Sequence, residues 1–383
     1  MLVRFSILVL LLFLSVATPA KAVTVILAGN VACDLASVGC GAGIPLTPTT
    51  LCGPPDTECP WFSSASFSDP VNRFWGVSTS NGRFCRTSTD GGVTWGNCTV
   101  QPFPIFITTQ IVLAEASDGS LLAIGNYTDT NTCTIRRSTN NAASWSDVYT
   151  NAAIWGACGA GGSKLRCIAG GKCTFISNQS TPSVADIALD STDNGQNWTL
   201  TTVNTTTQWS TKYPAWNGSL GIGVPLIFGA GENQRAFTYS AGWGQSPIWG
   251  DTATFCLGAM IYNGTTNGVC YSSGETYVLR NSIGAVVQSI VLPGVYQVAA
   301  TGGLAISVAT NVMYVVATVA GGAPRNIGVW VSQDNGASFL QIYTSPSTVM
   351  DGISLGDIFL ANGCVYFSGG NFGAQKTFVK ICT

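Results

Sequence analysis

The chain is 383 residues long, only 9% of its residues are charged, and its formal net charge is −2. Such a surface excludes proteins that bind nucleic acids by neutralising phosphates, because these need clustered Lys and Arg. It equally excludes a polybasic membrane-surface binder.

The N-terminus has the pattern of a secretory leader. One positive charge, Arg4, precedes an apolar run over 7–16, and an Ala-Lys-Ala segment follows at 20–22. A short basic region, an apolar region too short to span a bilayer and an Ala-x-Ala end are typical of a cleaved signal peptide. We predict a signal peptide over 1–22 and a secreted, extracellular mature chain, with an uncleaved N-terminal anchor as the alternative.

The segment 23–60 contains a strand and a cysteine-rich loop. The strand, Val-Thr-Val-Ile-Leu at 23–27, has no local partner, and we predict that it completes the last repeat unit of the fold. The loop after it is rich in Gly, Pro and Thr, and we expect disulfides to hold its shape. Its cysteines are Cys33, Cys40, Cys52 and Cys59.

All 14 cysteines follow the leader. An even number of cysteines in a secreted chain predicts disulfides. Because the chain has no His and no Cys-x-x-Cys pair, we expect neither a metal site nor a cofactor. Cys85 and Cys98 flank a tight hairpin, and Cys364 and Cys382 flank the last one. Each pair could bridge its hairpin, although sequence alone leaves the connectivity open.

A repeated motif, Ser-x-Asp-x-Gly-x-Thr-Trp, organises the chain. The first three copies start about 50 residues apart, and the last follows after about three times that interval. In the complete copies the Asp caps backbone N–H groups, the Gly takes a backbone conformation closed to other residues, and the aromatic ring packs between neighbouring units. The copy at 138–145 is degenerate, with Asn140 and Ala142 in place of the Asp and the Gly. The motif positions are Ser88, Asp90, Gly92 and Trp95; Ser138, Asn140 and Trp145; Ser191, Asp193, Gly195 and Trp198; and Ser332, Asp334, Gly336 and Phe339.

Strands recur in the same order around these copies. In one unit, an apolar strand over 111–114 reaches a turn at Asp118-Gly119, returns over 121–124, and a third strand over 134–137 leads to the next copy. Later units show turns at Asn217-Gly218, Asn263-Gly264, Thr310-Asn311 and Asn362-Gly363. The uncharged segment 285–324 fits this scheme as two buried strands joined by a hairpin, so we expect no membrane span after the leader.

These units predict an all-β fold, a single β-propeller of four-stranded blades. Seven blades are favoured and six are the alternative, with the last blade closed by the N-terminal strand. Closure of this kind removes exposed sheet edges. No linker or composition break divides 23–383, so we predict one domain.

With these motifs, the chain resembles the sialidase-like Asp-box (BNR-repeat) β-propellers over most of residues 61–383. The resemblance implies the propeller fold, but the family includes sialidases, other glycoside hydrolases, receptor ectodomains and binding proteins. Its sialidases use three Arg, a Tyr with a Glu, and an Asp, and they carry an Arg-Ile-Pro segment before the first motif. This sequence lacks that segment and has only four Glu, so those catalytic residues cannot be assigned to it.

Carboxylates near the innermost strands are the candidates for catalysis, because glycosidases place two carboxylates around the scissile bond. Glu115 ends a predicted innermost strand, while Asp251 and Asp351 precede two others. The alternative is that these three are solvated loop carboxylates.

Aromatic residues in the connections between units are the candidate ligand-binding residues, since flat rings among amides and hydroxyls suit stacking on sugars. The segment 208–216, interpreted as a loop, contains three of them. The alternative is that such rings fill gaps between the units. The candidates are Trp209, Tyr213, Trp216, Trp155 and Tyr296.

The sequence favours a secreted recognition propeller that binds a glycan or another extracellular partner, because the chain lacks His, has few Glu and has no sialidase segment. A divergent sialidase-like glycoside hydrolase and a structural surface-assembly protein are the alternatives. Seven Asn-x-Ser/Thr sequons could carry glycans if the host glycosylates. They begin at Asn97, Asn126, Asn178, Asn197, Asn204, Asn217 and Asn263.

Overall fold

The structure of the chain is a computed structural model. It describes residues 24–27, 31–34, 49–52, 61–66, 69–70, 72–77, 84–103, 111–127, 130–159, 164–179, 185–204, 210–216, 221–226, 235–239, 243–248, 255–262, 265–273, 276–280, 285–294, 305–309, 312–319, 327–332, 334, 337–344, 359–361, 364–370 and 376–382.

The described strands form one two-stranded hairpin and seven four-stranded sheets, numbered 1 to 7 in chain order. The hairpin contains β1 (Thr24–Leu27) and β2 (Val31–Asp34). Sheet 1 contains β4 (Trp61–Ala65), β5 (Phe74–Val77), β6 (Cys85–Ser88) and β7 (Gly96–Asn97). Sheet 2 contains β8 (Val112–Glu115), β9 (Leu121–Tyr127), β10 (Thr132–Ser138) and β11 (Ser146–Asn151), and a 3-10 helix (Ala152–Gly159) follows it. Sheet 3 contains β12 (Lys164–Cys167), β13 (Cys173–Gln179), β14 (Ala185–Ser191) and β15 (Thr199–Asn204).

The remaining sheets repeat the pattern. Sheet 4 contains β16 (Ser210–Trp216), β17 (Gly221–Leu226), β18 (Arg235–Tyr239) and β19 (Trp243–Ile248). Sheet 5 contains β20 (Phe255–Tyr262), β21 (Thr265–Ser273), β22 (Thr276–Arg280) and β23 (Val286–Val291). Sheet 6 contains β24 (Ala305–Ala309), β25 (Val312–Thr318), β26 (Ile327–Ser332) and β27 (Leu340–Thr344). Sheet 7 contains β28 (Phe359–Ala361), β29 (Cys364–Gly370), β30 (Lys376–Cys382) and β3 (Thr49–Cys52).

Each of sheets 1 to 6 is an antiparallel meander whose strands neighbour one another in chain order. As predicted, the third strand leads into the repeated motif, because β6, β10, β14 and β26 each end at its first Ser. The hairpin predicted within the uncharged segment 285–324 is also present, with Ala309 opposite Val312. Among the described residues, no helix combines the length and apolar character needed to cross a bilayer.

An N-terminal strand was predicted to complete the last sheet. This was correct, but the residues predicted to form that strand were not. An N-terminal segment does supply the fourth strand of sheet 7, but it is β3, in which Thr49 lies opposite Lys380. The predicted strand at 23–27 instead pairs with β2. Pairing across so short a connection closes a small loop at low entropic cost, and this leaves β3 to cover the edge of β30.

Neighbouring sheets are joined through their first strands. The first strands of sheets 1 to 7 contact one another in succession, and β29 of sheet 7 contacts β4 of sheet 1. The rings of Phe74 and Tyr366 meet edge to face at the sheet 7–sheet 1 junction, with centroids 5.2 Å apart. Both side chains are buried, so the last sheet packs directly on the first.

The core lies between the faces of adjacent sheets. One cluster, which includes Trp75 and Leu113, joins sheets 1 and 2, and Trp145 packs against it. A second cluster, which includes Leu122 and Leu189, joins sheets 2 and 3, and Trp198 packs against it. The motif aromatics Trp145 and Trp198 therefore lie between sheets, as their large apolar surfaces favour.

Three disulfides are described: Cys85–Cys98, Cys133–Cys158 and Cys167–Cys173. The first confirms the predicted hairpin bridge. Strand register also places Cys364 opposite Cys382, and Cys256 opposite Cys270. This is the arrangement of Cys167 and Cys173, and no described cysteine is free.

Candidate functional site

The repeated motif forms a hydrogen-bonded turn, which we call the box turn. In the first copy the Ser88 hydroxyl donates to Asp90 Oδ1 (2.8 Å) and accepts from the Gly92 N–H (2.9 Å). Asp90 in turn accepts from the N–H (2.9 Å) and the hydroxyl (2.6 Å) of Thr94. The Trp95 indole N–H donates to the Gly92 carbonyl (3.0 Å). All of these contacts lie within one motif, so the turn follows from local sequence.

The other copies repeat this geometry. Ser191 donates to Asp193 (2.8 Å) and Ser332 donates to Asp334 (2.7 Å). The degenerate copy keeps the turn with Asn140, which accepts from Ser138 through Oδ1 (2.9 Å) and donates to the Ser144 hydroxyl through Nδ2 (2.8 Å).

Hydrogen bonds lower the pKa of the motif carboxylates. Burial by itself would raise the pKa of Asp334, but hydrogen bonds from Ser338 and Ser332 outweigh burial and lower it to about 2. The pKa values of Asp90 and Asp193 are lowered in the same way, again against a burial contribution that would raise them. Because the ordinary Asp pKa is about 3.9, the stability from these contacts is fully present above that pH. It is lost as the pH falls through the lowered pKa values, which for Asp334 means towards about 2.

We expect Asp334→Asn to flatten the acid end of the stability profile. An amide retains an acceptor for the turn, as Asn140 shows, but it does not titrate. Urea unfolding midpoints measured from pH 6 to pH 2 should fall less steeply for the variant than for the wild type between about pH 4 and pH 2.

Asn140→Asp is the matched control for this prediction, because it adds a titrating carboxylate to a turn that has none. Its profile should be steeper than that of the wild type in the same window. Parallel profiles for all three proteins would contradict the assignment of acid sensitivity to the box turns.

Three of the described arginines, Arg73, Arg136 and Arg137, make structural contacts at or near the junctions between sheets. Arg137 pairs with Asp118 (2.7 Å) and donates to the Asn194 carbonyl of the next box turn (3.0 Å). Arg73 donates to Asn141 (2.7 Å). Arg136 pairs with Asp147 and donates to the carbonyls of Pro102 and Trp145. These three cations are engaged in structural contacts and do not converge on one site.

Glu115 also lies at a junction between sheets. Its carboxylate accepts from the Trp75 indole N–H (2.6 Å) in sheet 1 and from the hydroxyl of Ser66 (2.8 Å), which directly follows β4 of that sheet. The residue is 2% exposed. A group so buried, with both oxygens accepting hydrogen bonds, has the geometry of a structural link rather than of an acid that meets substrate.

The segment predicted as a binding loop is largely a strand, so that interpretation was wrong. Residues 210–216 form β16, with a register shift between Lys212 and Ala215. Tyr213 and Trp216 therefore lie on the first strand of sheet 4. Aromatic residues favour strands, and a Pro is tolerated at an irregularity on an edge strand. Four candidates and one motif glycine lie outside the described residues: Trp209, Asp251, Tyr296, Asp351 and Gly336.

Trp155 lies on a short, firmly held platform, which we define as Tyr149, Asn151 and residues 152–159. The Cys133–Cys158 disulfide ties the 3-10 helix to β10, and Ser177 donates to the Ala157 carbonyl (2.5 Å). Ile154, Ala157 and Cys158 are buried, while Trp155 is half-buried. The platform therefore presents part of an indole ring at a position held by its neighbours.

Two polar residues of the platform, Tyr149 and Asn151, were not identified as candidates from the sequence. Asn151 accepts from the Ala153 N–H (2.8 Å) and donates to the Tyr149 hydroxyl (2.9 Å). The first of these contacts is a helix cap, for which Asn is a favoured residue, so the signal was available. Residues 148–159 contain no charge. The platform thus offers an aromatic face, an amide and a phenol. Within the described part of the chain, no group of three or more metal-ligating side chains could hold an ion.

Sequence comparisons find no match, either among protein-family models or among curated proteins. Structural comparison does find similarity. An ulvan lyase of the polysaccharide lyase family PL25 aligns with a TM-score of 0.51 at 9% identity, over 84% of this chain and 94% of the other. An ulvan lyase structure bound to -[GlcA(1-4)Rha3S]- aligns with a TM-score of 0.50 at 8% identity, over 84% and 93%.

The fold is all-β, and its structural neighbours are propeller-like. At such low identity the similarity concerns the fold alone. The resemblance to the sialidase-like Asp-box propellers stays a prediction, since no family model matches.

Proposed function

We propose that the chain is a secreted seven-bladed β-propeller that binds carbohydrate without transforming it. The observation that carries the proposal is the Trp155 platform, where a half-buried indole is held by a disulfide among uncharged polar groups. Binding sites commonly place aromatic rings beside a few hydrogen-bonding groups. The ulvan lyase bound to a saccharide is a structural neighbour with a similar fold.

The proposed propeller is closed. Three observations support this arrangement: there are seven four-stranded sheets among the described strands, their first strands contact one another in succession, and sheet 7 contacts sheet 1. In a closed ring, β3 belongs to the last blade and leaves no gap between the first and last sheets.

Secretion is part of the proposal. The three described disulfides support it, since disulfides form and persist mainly in oxidising compartments.

The ligand we propose is a neutral sugar. The platform carries no charge, and Arg73, Arg136 and Arg137 are engaged at junctions between sheets. The platform itself offers no cation to an anionic polymer, whereas hydroxyl groups of a neutral glycan match the remaining hydrogen-bonding capacity of the Asn151 amide and the Tyr149 phenol.

We expect Trp155→Ala to weaken glycan binding at least about 30-fold, since an aromatic anchor contributes about 2 kcal/mol or more to a binding site. The purified oxidised protein is first applied to a glycan array to find ligands. Titration calorimetry of wild type and variant then gives the ratio of Kd values.

Trp145→Ala is the matched control, because Trp145 is a half-buried indole that packs between sheets. It should lower the unfolding temperature and leave Kd unchanged in the folded protein. If Trp155→Ala bound the array ligand as tightly as the wild type, the platform would not be the binding site. Turnover of fluorogenic glycosides, lost in Asp251→Asn or Asp351→Asn, would instead establish a hydrolase.

A surface-assembly role is the second candidate, and strand β23 favours it. Val286, Val287 and Val291 are 50%, 44% and 52% exposed on this outermost strand of sheet 5. Exposed apolar edge strands pair readily with other chains. Sedimentation equilibrium over a range of concentrations separates the roles, because assembly requires reversible association and the recognition role does not.

A further inference from the structure

We propose that Asn97 is an acceptor for an N-linked glycan, and that Asn126 and Asn197 are not. All three begin an Asn-x-Ser/Thr sequon, so the sequence motif alone does not distinguish them. The structure describes the side chains of these three sequon asparagines and separates them by accessibility and by hydrogen bonding.

Asn97 is exposed on β7, the outermost strand of sheet 1. Its backbone pairs with Arg86, while Thr99, which completes the sequon, is also exposed. The acceptor residue is thus accessible to solvent on the outer edge of the sheet.

The residue between Asn97 and Thr99 does not obstruct a glycan. Cys98 is buried and bonded to Cys85. Asn97 and Thr99, on either side of it, are both exposed. A glycan on Asn97 would therefore extend into solvent and would not disturb the disulfide.

Asn126 has the opposite environment. It is 2% exposed and lies on an interior strand of sheet 2, opposite Cys133, which is bonded to Cys158. A sugar on this amide would have to occupy space already filled between sheet 2 and the 3-10 helix. A folded protein therefore cannot carry a glycan at Asn126.

Asn197 is exposed, but its amide belongs to a box turn. Its Nδ2 donates to Asp193 Oδ2 (2.6 Å), and its N–H donates to Asp193 Oδ1 (2.9 Å). An N-linked sugar attaches at Nδ2, so modification would compete with this contact. In this box turn the Asn197 amide makes the hydrogen bond that the Thr94 hydroxyl makes in the first copy.

A glycan at Asn97 would also protect the sheet. β7 is a two-residue edge strand, and natural proteins cover or shorten such edges to prevent pairing between chains. The proposed modification therefore has a structural consequence, namely reduced association through the outer edge of sheet 1.

The test is site-resolved glycan mapping of the full chain. The protein is secreted from a yeast or mammalian host behind a heterologous leader, so the result does not depend on residues 1–22. The monomeric, cooperatively unfolding fraction is treated with peptide-N-glycosidase in heavy-oxygen water, which labels formerly glycosylated Asn as Asp. We expect the label at Asn97 and unmodified Asn126 and Asn197.

Substitutions at Thr99 supply the control. Thr99→Ala should abolish the label at Asn97, and Thr99→Ser should retain it, because both hydroxyl residues complete a sequon. An unlabelled Asn97 in the folded fraction, or a label at Asn126 or Asn197, would overturn the assignment. The inference rests on the proposed secretion but not on glycan binding, so failure of the array experiment leaves this result unaffected.

Discussion

Glu115→Ala is expected to destabilise the protein by about 2 to 4 kcal/mol. Each hydrogen bond to the carboxylate contributes about 1.5 to 3 kcal/mol, and the substitution leaves the Ser66 hydroxyl and the Trp75 indole N–H without this acceptor. Removing a buried carboxylate also relieves its desolvation cost, so the net loss is smaller than the sum of the two contacts. Equilibrium urea unfolding followed by Trp fluorescence gives the change in unfolding free energy.

Glu115→Gln should cost less, about 1 to 3 kcal/mol, because one oxygen is kept and the other becomes an NH2 group facing a donor. Asp147→Asn is the matched control. The Asp147 carboxylate is 49% exposed and pairs with the half-buried Arg136, so its loss should cost less than the loss of the buried Glu115 carboxylate, about 1 kcal/mol. A Glu115→Ala protein as stable as this control would mean that the contacts to sheet 1 contribute little.

This expectation bears on any assay of catalysis. A Glu115 variant with reduced turnover would be uninformative unless the folded fraction were measured in the same sample. Asp251 and Asp351 remain the carboxylates on which a hydrolase would depend, and their amide variants are the informative ones.

Gly195→Ala is expected to cost about 2 to 5 kcal/mol, from two sources. Gly195 has φ +75, where a residue with a Cβ is strained by about 1 to 2 kcal/mol. A Cβ at this position would also lie 2.5 Å from Leu122 Cδ2 in the neighbouring sheet, and overpacking typically costs about 1 to 3 kcal/mol. The unfolding free energy of the variant measures the sum.

Gly170→Ala separates the two sources. Gly170 has φ +81, and a Cβ there would meet nothing within 4 Å, so only the strain of about 1 to 2 kcal/mol is expected. Equal losses for Gly170→Ala and Gly195→Ala would show that Leu122 moves aside without cost. The degenerate box turn holds Ala142 at φ 62, so the conformation itself is accessible where space allows.

The strands and the box turns could be predicted from sequence because their causes are local. Ser88, Asp90 and Thr94 contact one another within a few residues, and the recurrence of the motif revealed the length of a unit. Gly195 was predicted from the same pattern. The clash between a Cβ at position 195 and Leu122 could not be predicted, because Leu122 belongs to a different sheet.

Two errors show where local reasoning ended. Either the strand at 23–27 or β3 could pair with the free edge of sheet 7. The structure shows that the first pairs with β2, so β3 pairs with β30 and completes the sheet. The aromatic segment around Tyr213 resembles a loop in composition, yet the edge of sheet 4 incorporates most of it as β16.

The sequence by itself therefore determined the all-β class, the repeat and the box turns, since each depends on residues close together in the chain. It offered the Cys85–Cys98 bridge as one possibility, which the structure then confirmed. Only the tertiary structure decided which groups meet across the sheets. Glu115 meets Ser66 and Arg137 meets Asn194 because packing one sheet on the next brings distant residues together. The same packing leaves Trp155 partly exposed and buries Asn126, and this difference cannot be read from a pattern along the chain.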